Sequence, residues 1–391
     1  MLLKIERKKI AFPGAIMTLL EPKLAQSESR LEQPLSTGQM SGSSDWALRA
    51  EHWIDQSTQI ARTKKRKKRH RNITPLILSG HGVSLRVEHG ALVIRDGFTH
   101  YPQQQTTYRF FPRDLELPTR ILLLDGSGSL SFEVLTWLFQ QGVSLARVSW
   151  TGEVAVVASA TGYAGDPDKR HWQQETRADP TLRSEFAADL IRRKLSTSID
   201  ALEDHIADTP ARGIAVEKAK IGIERLERGT FDDMNYIFAI EGECAAAYFA
   251  AWRGLELQWN GLSRRPVPKS WHVFFSRSSL ATGVKAENRN ASHPLNAMLN
   301  YAYAVKLSAL QVQAIAEGYD PTFGIMHNGK RGSPGFVLDL IEPERPRVDA
   351  AILGFVNEQR FAAADFIIRP NGSCRLAPQL ARAVATLALR A

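Results

Sequence analysis

Cysteine is almost missing from this chain of 391 residues: Cys244 and Cys374 stand far apart, in no C-x-x-C spacing. A disulfide framework and a thiolate zinc site are therefore unsupported, and both thiols are expected as small buried apolar groups. Long apolar runs are missing too. Stretches such as 121–124 and 154–158 fall far short of the ~20 residues that a membrane span needs. The opening MLLKIERKK carries charge where a secretory signal would need its apolar core, so a cytoplasmic protein is expected. No internal repeat is evident. What remains is the ordinary composition of a globular protein, 43% hydrophobic and 23% charged, on a chain long enough for two domains.

The net charge of +9 is unevenly spread, because the run RTKKRKKRHR at 62–71 holds eight Lys/Arg and accounts for all but one of the excess. The rest of the chain is nearly neutral. Such a run either binds a phosphate backbone by counterion release or serves as a solvated linker.

Residues 1–71 read as a poorly structured extension that ends in the basic run. Trp46, Leu48, Trp53 and Ile54 nevertheless open a short helical pattern that could dock on the body. From Pro75, LILSGHGVSLRVEHGALVIRDG alternates β-rich runs with glycine turns, a strand–turn–strand signature. Further short strands and one helix, 131–141, complete a β-rich domain over 72–163. Beyond Gly165 the periodicity becomes helical. Leu182, Phe186, Leu190, Ile191, Leu195, Ile199 and Leu202 mark a long amphipathic helix over 182–204. The same pattern predicts helices over 215–228, 238–255, 297–317 and 378–389. The fold class expected is α+β, with a helical domain over 166–391.

Three positions in the helical domain could carry chemistry. Glu241, in IEGECAAAYFAAW, lies among residues so apolar that its face should be buried, whereas Glu243 projects about 200° away on a helix. A buried carboxylate needs a partner or a metal; an exposed helix-face acid is the plain alternative. His327, in GYDPTFGIMHNGKRG, sits at a tight loop, where one ring nitrogen could reach a metal or make a structural hydrogen bond. In VLDLIEPERPRVD, Asp339 and Glu342 are three apart and flanked by apolar residues. Two carboxylates and an imidazole form a hard ligand set, suited to Mg²⁺ or Mn²⁺ and hence to phosphodiester chemistry. Upstream, Arg264, Arg265, Lys269, Arg277, Lys285 and Arg289 are interleaved with Trp271, Phe274 and Phe275. That stretch is either a DNA-backbone contact or a connecting loop with a packed aromatic cluster.

The segments IEGECAAAYF, HPLNAMLNYAYAV, GYDPTFGIMH and VLDLIEPERPRVD, in this order and spacing, resemble the CRISPR-associated endonuclease/integrase family "Cas one", the spacer-acquisition nuclease. LILSGHGVSLRVEHGALVI resembles the family's opening hairpins, and DKRHWQQETRADPTLRSEFAADLIRRKL its interdomain helices; the likeness spans about 74–388. It implies a small N-terminal β-sandwich-like domain and a larger all-α catalytic domain. It implies a homodimer joined through the β domains, a partner dimer of the companion "Cas two", and DNA as substrate. The family's metal ligands fall on Glu241, His327 and Glu342. Asp339 takes a neighbouring acidic position expected to be catalytic, and Lys330 a basic position near DNA. The implied reaction is attack by a 3′-hydroxyl of a DNA fragment on a phosphodiester at the border of a CRISPR array. A stand-alone relative, acting as a transposon integrase or repair nuclease, and a catalytically silent DNA-binding scaffold are the competing readings. Residues 1–71 lie outside the family pattern.

Overall fold

A computed structural model describes residues 42–61, 71, 75–98, 105–148, 154–158, 165–229, 233–262, 265–277, 291–327, 334–369 and 372–391. It begins with a helix, α1 (Gly42–Ala61), and continues through β1 (Leu76–Glu88), β2 (Ala91–Arg95), β3 (Thr107–Phe110), β4 (Arg120–Leu130), α2 (Phe132–Gln140), β5 (Ser144–Val148) and β6 (Val154–Ala158). The six strands hydrogen-bond in the order β3-β2-β1-β4-β5-β6. β1 and β2 form an antiparallel hairpin whose two-residue turn, His89-Gly90, has positive φ at both positions, as a type I′ turn demands. The β1–β4 and β4–β5 pairs are parallel; α2 makes the crossover between β4 and β5.

Alternation along the strands sends side chains to two cores. Leu78, Ile121 and Leu145 face α2, where Val134, Trp137 and Leu138 close a small apolar cluster. Their neighbours Ile77, Leu122 and Ala146 point the other way and join Leu124 and Val148 in the main core. That core is otherwise helical and is centred on α7 (Pro294–Ala316). Around α7 stand α3 (Pro167–Ala178), α4 (Pro180–His205), α5 (Pro210–Arg228), α6 (Met234–Ala251), α8 (Gly335–Leu340), α9 (Arg345–Glu358) and α10 (Pro378–Ala388). Two short ladders interrupt this helical half: β7 (Gln258–Trp259) with β8 (Arg360–Phe361), and β9 (Phe366–Ile368) with β10 (Cys374–Leu376).

The helices begin where a capping side chain meets a proline. Asp166, Asp179, Thr209 and His293 each accept a backbone N–H of the first turn, and each is followed by proline. The cap satisfies an orphan donor, and proline has none to lose. Both cysteines are buried and free, as expected. No helix among the described residues is long and apolar enough to cross a membrane.

The reading of residues 1–71 as a poorly structured extension is corrected over 42–61. Trp53 is only 1% exposed. Its indole donates to Asp365 Oδ1 at 2.8 Å and its ring stacks on Phe361. Arg49 adds an ion pair to Asp365 Oδ2 at 2.7 Å. α1 is thereby built into the helical half, packed along α10. Residues 62–70 of the basic run lie outside the described residues. Its last member, Arg71, donates to the carbonyls of Leu117, Pro118 and Gln141, so this arginine tethers the β domain.

The cap of α7 makes stability depend on pH. His293 accepts the Leu295 N–H through Nδ1, which requires a neutral ring, and burial lowers its pKa from 6.5 to about 4. Its contribution is complete above pH 6.5 and is lost as pH falls toward 4. The expected loss is about 3 kcal/mol across that window. Denaturant titrations at pH 7 and pH 4.5 of the wild type and of His293→Asn should differ, because Asn caps without titrating. Equal acid sensitivity in the two proteins would contradict this assignment.

Candidate active site

The residues singled out in the helical half converge on one lysine of α4. Lys194 lies on the apolar stripe of that helix, between Leu190, Ile191, Leu195 and Ser198, all buried. α6 packs across α4 and brings Glu241; the 3-10 turn at Glu342–Glu344, between α8 and α9, brings Glu342. Lys194 Nζ donates to Glu241 Oε1 at 2.5 Å and to Glu342 Oε2. Glu342 is fully buried, and its Oε1 lies 3.2 Å from Arg345 Nε. Glu243, on another face of α6, is half exposed and pairs with Lys218 and Arg225 on the surface.

The charges are unequal in character. Burial opposes ionisation of Glu241, but the Lys194 ammonium outweighs it and holds the carboxyl below its usual range. Burial likewise opposes the charge on Lys194, and Glu342 and Glu241 outweigh it. At Glu342 burial wins: its pKa rises to about 8.

His327 comes from the loop that follows α7 and stands within electrostatic reach of Glu241. The loop is clamped from two sides. Asp339, on α8 and with no exposure, accepts the backbone N–H groups of Ile325, Met326 and His327. On the opposite side the loop carbonyls are taken by Gln173 and Arg177 of α3 and Arg183 of α4, at 2.8–3.1 Å. Gly324 and Gly335 are required where the loop meets α8. A Cβ on Gly324 would stand 2.5 Å from His327 O and 2.8 Å from the Gly335 carbonyl carbon.

Asp339 Oδ1 also lies 2.9 Å from His327 Nδ1. A carboxylate partner puts the ring proton on Nδ1 and leaves Nε2 as a lone-pair donor. Nε2 is buried and has no hydrogen-bond partner among the described residues. Both oxygens of Asp339, expected to be catalytic, are engaged by the loop and the imidazole, and through these contacts it positions His327.

The donor chemistry fits a divalent cation: two carboxyl groups, an unpartnered imidazole nitrogen, and an ammonium standing in as the cation between them. Yet no three His, Cys, Asp or Glu side chains among the described residues already stand at metal-ligand spacing. Glu241 and Glu342 meet on Lys194, and His327 stands within electrostatic reach of Glu241.

Of the expected DNA contacts, Lys330 and Arg289 lie outside the described residues. Arg277 does not face solvent. It is 9% exposed, donates to Asn300 Oδ1 at 2.7 Å and to Asn296 Oδ1, and lies over the Tyr303 ring. An arginine among loop aromatics here completes a core. Trp271 and Phe274 are buried with it, while Phe275 is 74% exposed, with Arg253 over its ring. Lys194 was missed by sequence reasoning, although a lysine on an apolar helical stripe is a legible sign of a buried counter-ion.

The family model of CRISPR-associated protein Cas1 matches residues 76–388. The chain belongs to the Cas1 family. A Cas1 relative, "CRISPR-associated endonuclease Cas1 2" of Pyrobaculum aerophilum, is 24% identical over 72% of this chain and 83% of its own length. A casposase bound to integration product is similar in fold, with a TM-score of 0.64 at 22% identity over 81% of this chain and 82% of the casposase. A partial Cas6-RT-Cas1–Cas2 complex is similar with a TM-score of 0.51 at 17% identity, over 81% of this chain and 87% of that one.

Within this Cas1 fold the clamp is testable by stability alone. Asp339→Ala would leave three buried N–H groups without their acceptor, a loss of about 3 kcal/mol or more. Urea unfolding should show it; a change below about 0.5 kcal/mol, the range of an ordinary surface substitution, would count against the clamp.

Proposed function

We propose that this Cas1 family member is a divalent-metal-dependent DNA endonuclease and integrase, which inserts DNA fragments into a CRISPR array by 3′-hydroxyl attack on a phosphodiester. The observation that carries the reading is the pair Glu241 and Glu342 gathered on the buried Lys194 ammonium, with His327, whose Nε2 has no partner among the described residues, within electrostatic reach of Glu241. These three would hold Mg²⁺ or Mn²⁺. When bound, such a cation offsets the charge that builds on the phosphorus oxygens and acidifies the attacking hydroxyl. The chain's own part is positioning. Asp339 fixes the tautomer and direction of His327, the α3 and α4 side chains hold the loop that carries it, and Arg345 stays beside Glu342. No side chain of the cluster is a protein nucleophile: transfer occurs directly between sugar hydroxyl and phosphorus, and water in place of the hydroxyl gives cleavage.

The likeness to a casposase is one of fold, so insertion into an array and stand-alone integration share this reading of the site. Neighbouring repeats and a companion gene separate them. A catalytically silent scaffold would have no need to keep two buried acids and an oriented imidazole together, since each costs stability.

Two partners follow. The outer face of α2 presents Phe132, Leu135 and Phe139, at 85%, 39% and 56% exposure. They recur on one helical face while Val134, Trp137 and Leu138 line the other. Exposed aromatics of this size mark an interaction surface, and a second copy of the chain, paired through the β domains, is the occupant proposed. The likeness to a Cas1–Cas2 complex supports the companion dimer as a further partner.

Glu241→Ala and His327→Ala should each reduce cutting and strand transfer by more than about 100-fold, the scale of lost charge stabilisation at a reacting centre. DNA affinity should stay close to wild type. Persistent activity in either variant would mean that the site lies elsewhere. A separate expectation concerns the seven Lys/Arg of 62–69. Replacing them with Ser should weaken DNA binding and flatten its dependence on salt, by up to about 0.9 in log–log slope for each phosphate left unneutralised. An unchanged slope would make the run a passive connector.

A further inference from the structure

The position that a divalent cation would need is already taken. Glu241 Oε1 and Glu342 Oε2 both lie within hydrogen-bonding reach of Lys194 Nζ. A cation bound to those same oxygens at the ~2.0–2.1 Å typical of Mg²⁺ would stand almost on top of the ammonium. Two positive centres cannot share that volume in a buried site, where water does not screen them. Lys194 reaches the cluster from a rigid helical turn flanked by Leu190, Ile191 and Leu195. Its side chain is 10% exposed, so it is no transient surface visitor. Space to receive it adjoins the cluster. A small, mostly apolar cavity beside α4, α5 and α6 has Lys194, Glu241, Ser198, Ala215, Ala219 and Tyr248 in its lining.

We propose, building on the metal-dependent reading above, that Lys194 is the resident counter-ion of the metal-free centre and competes with the divalent cation for Glu241 and Glu342. In the metal-free protein the ammonium keeps the two carboxyl groups together by bonding to both. On loading, it gives up both oxygens and swings into the adjoining cavity, while His327 Nε2, unpartnered until then, completes the ligand set. Metal affinity is set by this exchange, because a cation must displace a built-in positive charge and not merely water. Lys194 is thus a positioning and gating residue and no ligand.

The test is Lys194→Met, which keeps the aliphatic stem and removes the charge. The readouts are Mn²⁺ binding by calorimetry without DNA and thermal melting with EDTA or Mn²⁺. Mn²⁺ should bind the variant roughly 10-fold or more tighter than wild type, the scale on which groups around a metal alter its affinity. The variant should melt lower than wild type in EDTA and gain more from Mn²⁺. If the Met variant does not fold, Lys194→Gln, which can still donate to both carboxyl groups without charge, carries the same comparison. Equal or weaker Mn²⁺ binding in the variant, with binding to wild type that Glu241→Gln abolishes, would overturn the competition while leaving the metal site standing. Mn²⁺ binding to wild type that neither Glu241→Gln nor His327→Ala alters would remove the metal site itself.

Discussion

A carboxylate sealed from solvent governs the geometry of the helical half. Asp339 could not be buried as an isolated charge; it persists because three successive backbone N–H groups and an imidazole supply its hydrogen bonds. The same bonds dictate the path of residues 325–327, and so the place of His327 relative to α4 and α6. Cationic and amide side chains from α3 and α4 take the carbonyls on the opposite side. With both its donors and its acceptors engaged, an irregular segment acquires the fixed position usually reserved for helices and strands. Everything the site does with an imidazole depends on that restraint.

A second buried network lies just behind. Asp349, pushed up to about 6 by burial, accepts from the hydroxyls of Tyr248 and Tyr303. Arg345 and Arg277 both lie over the Tyr303 ring. Arg345 belongs to both networks, since it also faces Glu342. A core change at Tyr303 would therefore be felt at Glu342, through one guanidinium.

Much of this is legible in the residues, for identifiable reasons. Apolar periodicity locates α4, α5, α7 and α10, because each lays a continuous stripe against the core. The first turns of α4, α5 and α7 begin two to five residues before that stripe, where Asp-Pro, Thr-Pro and His-Pro mark the true starts. α9 escapes notice because prolines and charges crowd the residues before its apolar stripe. Glu241, His327 and Glu342 can be proposed as a group, since buried flanks and a constrained loop are local features. Lys194 cannot be joined to them without knowing which helix crosses which. Arg277 misleads for the opposite reason: a basic residue beside aromatics is the same string whether the loop faces a phosphate or closes a core. The parallel pairs of the sheet are illegible, because pairing across a crossover leaves no mark at either strand.

How the molecule can move follows from the boundary between its halves. The sheet and the helices do not meet as two finished bodies; Ile77, Leu122, Leu124, Ala146 and Val148 are shared with the helical core, and Arg382 of α10 is bonded to Asp96 and Ser79 of the β half. Rotating one half against the other would tear hydrophobic interior rather than slide a wet boundary. The two halves then behave as one stiff body, and bending demanded of any bound partner must be taken up by that partner.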